Sequence, residues 1–91
     1  MGKILVIFEF PNTTAKTYDK IVEELHAKAV LPNEGLLFHA AAQEDGTMIV
    51  SDVWKSEEAF NKFGEKMMPI GMQSGLPNVK PRIIPVHNIL P

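Results

Sequence analysis

Apolar residues along this chain switch between two spacings, and the switches mark out six elements. From Lys3 to Phe10 the run Lys-Ile-Leu-Val-Ile-Phe-Glu-Phe is short and nearly continuous, closed by Pro11-Asn12, which predicts a β-strand. Ile4, Val6 and Phe8 fall on one face and Leu5 and Ile7 on the other, the pattern of a central strand covered on both sides. From Ala15 to about Val30 the spacing lengthens. Tyr18, Ile21, Val22, Leu25 and Ala29 recur as a helical stripe against Lys16, Lys20, Glu23, Glu24 and Lys28. Thr13 or Thr14 can cap this helix, and Pro32-Asn33-Glu34-Gly35 stops it.

Leu36 to Gln43 predicts a second strand, Asp45-Gly46 a tight turn, and Thr47 to Trp54 a third strand. Ser56 then stands where it can accept from the free first-turn amides of a second helix. Glu57 and Glu58 favour the positive end of that helix. It is expected to run from Glu57 to about Met68 and to bury Ala59, Phe60, Phe63 and Met67. Pro69 lacks an amide proton, so it should kink or end the helix, with room for one short turn through Met72. Gly75 to Pro81 is an extended connection. Arg82 to Leu90 is the last predicted strand, in which Pro85 argues for an edge position or a bulge.

The resulting order, β-α-β-β-α-β, is the ferredoxin-like arrangement of the α+β class: a four-stranded antiparallel sheet with both helices on one face. At 91 residues the chain is expected to form a single domain spanning positions 1–91. Two helices cover one face of such a sheet, yet the strands are apolar on both. A homodimer that buries the free faces against each other is therefore expected.

Composition narrows the function classes. The net charge is −2, with no cluster of Lys or Arg interleaved with aromatics, so nucleic acid is not an expected partner. The chain has no cysteine, hence no disulfide, thiolate nucleophile or Cys-ligated metal. Lys3 to Phe10 is too short to cross a bilayer, and a soluble cytoplasmic protein with no membrane partner is the default expectation. No His/Asp/Glu set has metal-ligand spacing, and no Gly-rich phosphate loop or Gly-x-Ser-x-Gly elbow is present.

The element order is joined by several motifs: His-Ala-Ala at 39–41, Asp-Val-Trp-Lys-Ser-Glu-Glu-Ala-Phe at 52–60, the Pro69-to-Gly75 stretch, and Pro-Val-His-Asn at 85–88. With these the chain resembles the dimeric α/β-barrel superfamily, and within it the antibiotic-biosynthesis-monooxygenase-like proteins. The resemblance covers nearly the whole chain. It implies a dimer and a ligand pocket between each subunit's sheet and its own helices. Proteins of this pattern include cofactor-independent oxygenases and haem-degrading enzymes. The haem-degrading pattern uses an Asn, a Trp and a His on the later helical segment. Trp54 and Asn12 resemble the first two, but Glu57 to Met72 contains no histidine. The oxygenase pattern implies polar and aromatic side chains that hold a phenolic substrate, with no cofactor required. Tyr18, Trp54, Asn61 and Asn88 are of those kinds.

His39 is the candidate catalytic residue. A two-residue type I′ turn at Asp45-Gly46 sets it directly opposite Asp52, close enough to form a general base with its orienting carboxylate. A three-residue bulged turn sets it opposite Ser51 instead and sends Asp52 to the other face. The plainer reading of His39, and the favoured one, is a hydrogen-bonded residue at the dimer seam. Tyr18, Asp52, Trp54, Phe60 and Met67 are the candidate substrate-binding residues. Tyr18 and Trp54 each offer an apolar body with one polar tip. Phe60 and Met67 belong to a soft apolar helix face, with Met68 and Met72, that suits a flat hydrophobic ligand. His87 is expected at the interface and His26 on the solvated side of the first helix. Two function classes remain open. The chain reads as a homodimer that binds a small apolar or aromatic ligand, in its sharpest form a cofactor-independent monooxygenase of an aromatic or phenolic substrate. The alternative is a non-catalytic ligand-binding or structural dimer.

Overall fold

A computed structural model describes residues 2–91. The elements are β1 (Ile4–Phe10), α1 (Ala15–Ala27), β2 (Leu36–Glu44), β3 (Thr47–Trp54), α2 (Glu57–Gln73) and β4 (Arg82–Pro85). The four strands form one antiparallel sheet in the order β2-β3-β1-β4. This is the ferredoxin-like arrangement that the alternating apolar spacings predict.

Both helices lie over the face formed by Val6, Phe8 and Phe10 of β1 and by Met48, Val50 and Trp54 of β3. Rather than one filled centre, three small apolar clusters ring this layer. Ile21, Leu25, Val30 and Ile70 join the helices. Ile4, Val6 and Trp54 pack with Phe60 and Phe63 at one end of the sheet. Phe10, Met48 and Val50 pack with Tyr18 and Leu76 at the other. The opposite face of the sheet carries Leu5, Ile7, Ile49, Val53 and Ile84, and Phe38 there is 54% exposed.

Three boundaries differ from the sequence reading. The first helix stops at Ala27 rather than near Val30. Ala29 adopts the left-handed conformation (φ 59°), the Val30 amide donates to the Leu25 carbonyl, and Val30 packs on Leu25. That is a Schellman ending, formed without the usual glycine. The second helix continues through Pro69 to Gln73. Glu65, whose carbonyl loses its partner there, is exposed to solvent, and Ile70 in the next turn is buried against α1. The last strand ends at Pro85 rather than Leu90, because β1 supplies partners only as far as Ile4; Val86 adds one bond to the Lys3 carbonyl. As an edge strand β4 accommodates Pro85.

Candidate functional site

The site is built outward from the β2–β3 hairpin. Asp45 (φ 50°) and Gly46 (φ 79°) are both left-handed, as a type I′ turn requires, and Glu44 pairs with Thr47. Counting back from that turn sets His39 directly opposite Asp52, so the two-residue alternative is the one the chain adopts. The neighbouring β-bulge falls between Leu36 and Phe38, beyond the pair, and leaves its register intact.

His39 and Asp52 both point toward the helices. His39 Nδ1 lies 2.5 Å from Asp52 Oδ1, and the second carboxylate oxygen accepts a hydrogen bond from the Trp54 indole N–H at 3.3 Å. On the far side of the imidazole, the Tyr18 hydroxyl lies 2.5 Å from His39 Nε2, with the two rings stacked at an interplanar angle of 7°. The carboxylate can only accept, so Nδ1 carries the ring proton, and Nε2 presents its lone pair to the Tyr18 O–H. Trp54, Asp52, His39 and Tyr18 thus form one directed relay. Burial raises the Tyr18 phenol above its ordinary value of 10.0, with the negative charges of Asp52 and Asp19 adding to the effect. Tyr18 therefore stays a proton donor at neutral pH rather than becoming a tyrosinate base.

Tyr18 arrives from α1, and Gln43 of β2 governs that approach. Gln43 lies two inward positions beyond His39 on the same strand face. Its Oε1 accepts from the Ala15 amide at 2.9 Å, and its Nε2 donates to the Thr13 carbonyl. The Thr13 amide bonds the Gly46 carbonyl at 3.0 Å, and Thr14 caps the helix by accepting from the Thr17 amide. Gln43 and Gly46 thus tie the start of α1 to the hairpin, one turn before Tyr18. The sequence reading missed Gln43; its even spacing from His39 along one strand was the available signal.

A cavity of about 560 Å³ opens between the sheet and the helices. His39, Tyr18, Asp52, Phe60 and Met67 line it. Trp54 does not: it is fully buried behind the wall, packed on Phe60 and Phe63 and hydrogen-bonded to Asp52, all three of which line the cavity. His26, exposed on α1, also borders the cavity, whereas His87, Asn61 and Asn88 are exposed and lie outside its lining. Among the described residues no Lys, Arg or Glu lines the cavity; beside the relay its polar side chains are Thr13, His26 and Asn78, and the other lining residues are apolar or glycine. A shallower, more open cleft of about 400 Å³, beside Lys28 and Lys66, shares no residue with it. Among the described residues no group of three or more His, Asp or Glu stands together as a metal site, and no helix is long and apolar enough to cross a membrane.

No protein-family model matches the chain, and no curated protein matches it in sequence. Solved structures do match. SnoaB, a cofactor-independent oxygenase from Streptomyces nogalater, superposes with a TM-score of 0.73 at 14% identity, over 100% of this chain and 99% of that one. A candidate antibiotic biosynthesis monooxygenase from Caulobacter crescentus gives 0.68 at 21% identity, over 98% and 92%. A monooxygenase from Streptomyces coelicolor, solved with nanaomycin D bound, gives 0.57 at 18% identity, over 99% and 92%. The fold is that of the antibiotic-biosynthesis-monooxygenase-like proteins. At these identities the likeness is one of fold, and the chemistry must come from this chain's own side chains.

Proposed function

We propose that the protein is a homodimer that binds a neutral aromatic or phenolic molecule between its sheet and helices and oxygenates it without a cofactor. The observation that carries this reading is the Tyr18–His39–Asp52 relay set in the wall of a largely apolar cavity that, among the described residues, no Lys or Arg lines. A pocket of this kind favours an uncharged, largely apolar ligand with one ionisable hydroxyl.

The substrate hydroxyl donates to the Tyr18 oxygen, whose own proton passes to His39 Nε2, while Asp52 balances the charge on the ring. The resulting phenolate is electron-rich at a ring carbon that still bears hydrogen. That carbon forms a bond to O₂, and the peroxide takes the proton back from His39 through Tyr18. Cleavage of the C–H and O–O bonds then leaves a quinone carbonyl and one water. The substrate supplies all four electrons that reduce O₂ to the quinone oxygen and water, so the sequence balances with no added reductant. The open sheet face, with Phe38 exposed beside Val53, supports a second copy as its cover.

The test is oxygen uptake with a panel of naphthols and naphthalenediols, alongside ligand binding and sedimentation. Oxygen uptake matched by quinone, with His39→Ala abolishing turnover and retaining affinity, is the expected result. A His39→Ala protein that loses dimerisation instead gives His39 a structural role and supports the non-catalytic reading. Uptake that depends on added flavin or metal overturns the mechanism.

A further inference from the structure

The cavity face of α2 has the helical spacing of a single stripe: Phe60, Phe63, Gly64, Met67, Met68, Gly71 and Met72. Two of these seven positions are glycines, and they differ in what surrounds them. A Cβ on Gly71 would stand 3.1 Å from the Leu76 side chain and 3.2 Å from that of Met67, so the protein's own packing fills that gap. A Cβ on Gly64 would meet no heavy atom within 4 Å.

Gly64 sits inside a regular helix with no left-handed backbone angle to accommodate, and glycine is a poor residue for a helix interior. Neither conformation nor close packing calls for it. What the missing side chain leaves is bare backbone on the cavity wall, with Phe60, Phe63 and Met67 standing around it. We propose that Gly64 is a specificity-determining residue: it deepens the cavity into a slot in which a flat polycyclic aromatic molecule lies against the α2 backbone. Planar rings profit most from such a surface, because their whole face makes contact at van der Waals distance. Methionines beside it adapt to the edge of the ring system.

This inference rests on the ligand-binding reading above and sharpens it to ligand shape. The test uses two phenols, 1-naphthol with two fused rings and 2-hydroxyanthracene with three. Their affinities are measured for the wild-type protein, Gly64→Ala and Gly64→Leu, together with each protein's thermal midpoint. Both variants should unfold at a higher temperature, since alanine and leucine favour the helix. Gly64→Leu should weaken 2-hydroxyanthracene by roughly tenfold or more, the scale of a few misplaced methylenes in an apolar pocket. It should leave 1-naphthol within about threefold of wild type on the same scale. Stability and three-ring affinity thus move in opposite directions, which a purely structural glycine would not produce. If wild type and Gly64→Leu bind both phenols equally, the slot is refuted while the cavity reading stands. If the wild-type protein binds neither phenol, the ligand-binding reading fails and this inference fails with it.

Discussion

Replacing Asp52 with asparagine removes one acceptor from a place where two donors meet. The Asp52 side chain is only 8% exposed, and its carboxylate accepts from His39 Nδ1 on one oxygen and from the Trp54 indole N–H on the other. An asparagine amide retains one oxygen and offers an NH₂ in place of the second. If the NH₂ faces Trp54, two donors confront each other in a fully buried spot. If it faces His39, the imidazole must move its proton to Nε2, and the Tyr18 hydroxyl must turn from donor to acceptor. The second outcome is favoured, because the His39 side chain is 32% exposed and can recover some hydrogen bonding from water, whereas Trp54 is fully buried. One charge-assisted bond is still exchanged for a neutral one, and the expected loss of stability is about 1–3 kcal/mol. The relay also reverses, so a substrate hydroxyl can no longer pass its proton through Tyr18, and turnover should fall by roughly 10² or more. Denaturant unfolding followed by fluorescence of the single tryptophan measures the first effect, and nitrogen-detected NMR of the imidazole reads the tautomer. An Asp52→Asn protein that keeps the wild-type midpoint, with His39 still protonated at Nδ1, would refute the relay.

The single tyrosine makes its own titration readable. Ultraviolet absorbance should show the phenol ionising above the ordinary 10.0, and a midpoint at or below it contradicts the buried environment. The folded-state value is raised, so this contribution to stability is complete below pH 10.0 and is lost as pH rises through the folded value; Tyr18→Phe should remove that part of the alkaline decline. Gln43→Ala deletes both side-chain links to the start of α1 and should loosen Tyr18 from His39, lowering turnover more than ligand affinity; unchanged kinetics would show that α1 is held without it. Ser56→Ala should lower stability by about 1 kcal/mol, read as the unfolding midpoint, because Ser56 Oγ accepts from the Ala59 amide at 3.1 Å. Ala29→Gly should raise the midpoint by about 1 kcal/mol of stability, since the left-handed angle there strains any residue with a Cβ. No change would mean that the entropy glycine adds to the unfolded chain cancels the relief.

Much of the fold was legible because its signals are local. The third strand and the start of the second helix were readable to the residue: Ser56 caps it, and Glu57 and Glu58 follow, all within a few positions of one another. The ends of the helices were less legible. Gly75, with φ 85°, marks the end of α2 in the usual way, but Ala29 fills the same role at the end of α1 without glycine. Pro69 looked like a stop because its missing amide is a local fact, whereas the burial of Ile70 against Ile21 and Leu25 that carries the helix onward is not. The polar tip of Trp54 finds its partner in Asp52, yet the distance of Trp54 from the cavity surface cannot be read from its place in the chain.

By itself the sequence determined the order of elements, the type I′ turn residues and, given that turn, the opposition of His39 and Asp52. Each follows from hydrogen bonding and side-chain alternation between neighbours along the chain or across one hairpin. Tertiary structure alone decided that Tyr18 completes the relay, that Gln43 holds the helix carrying it, and that three apolar clusters surround a hollow instead of closing it. Those contacts join residues 21 to 30 positions apart, and their geometry depends on how the helices settle on the sheet once every core side chain has found its place.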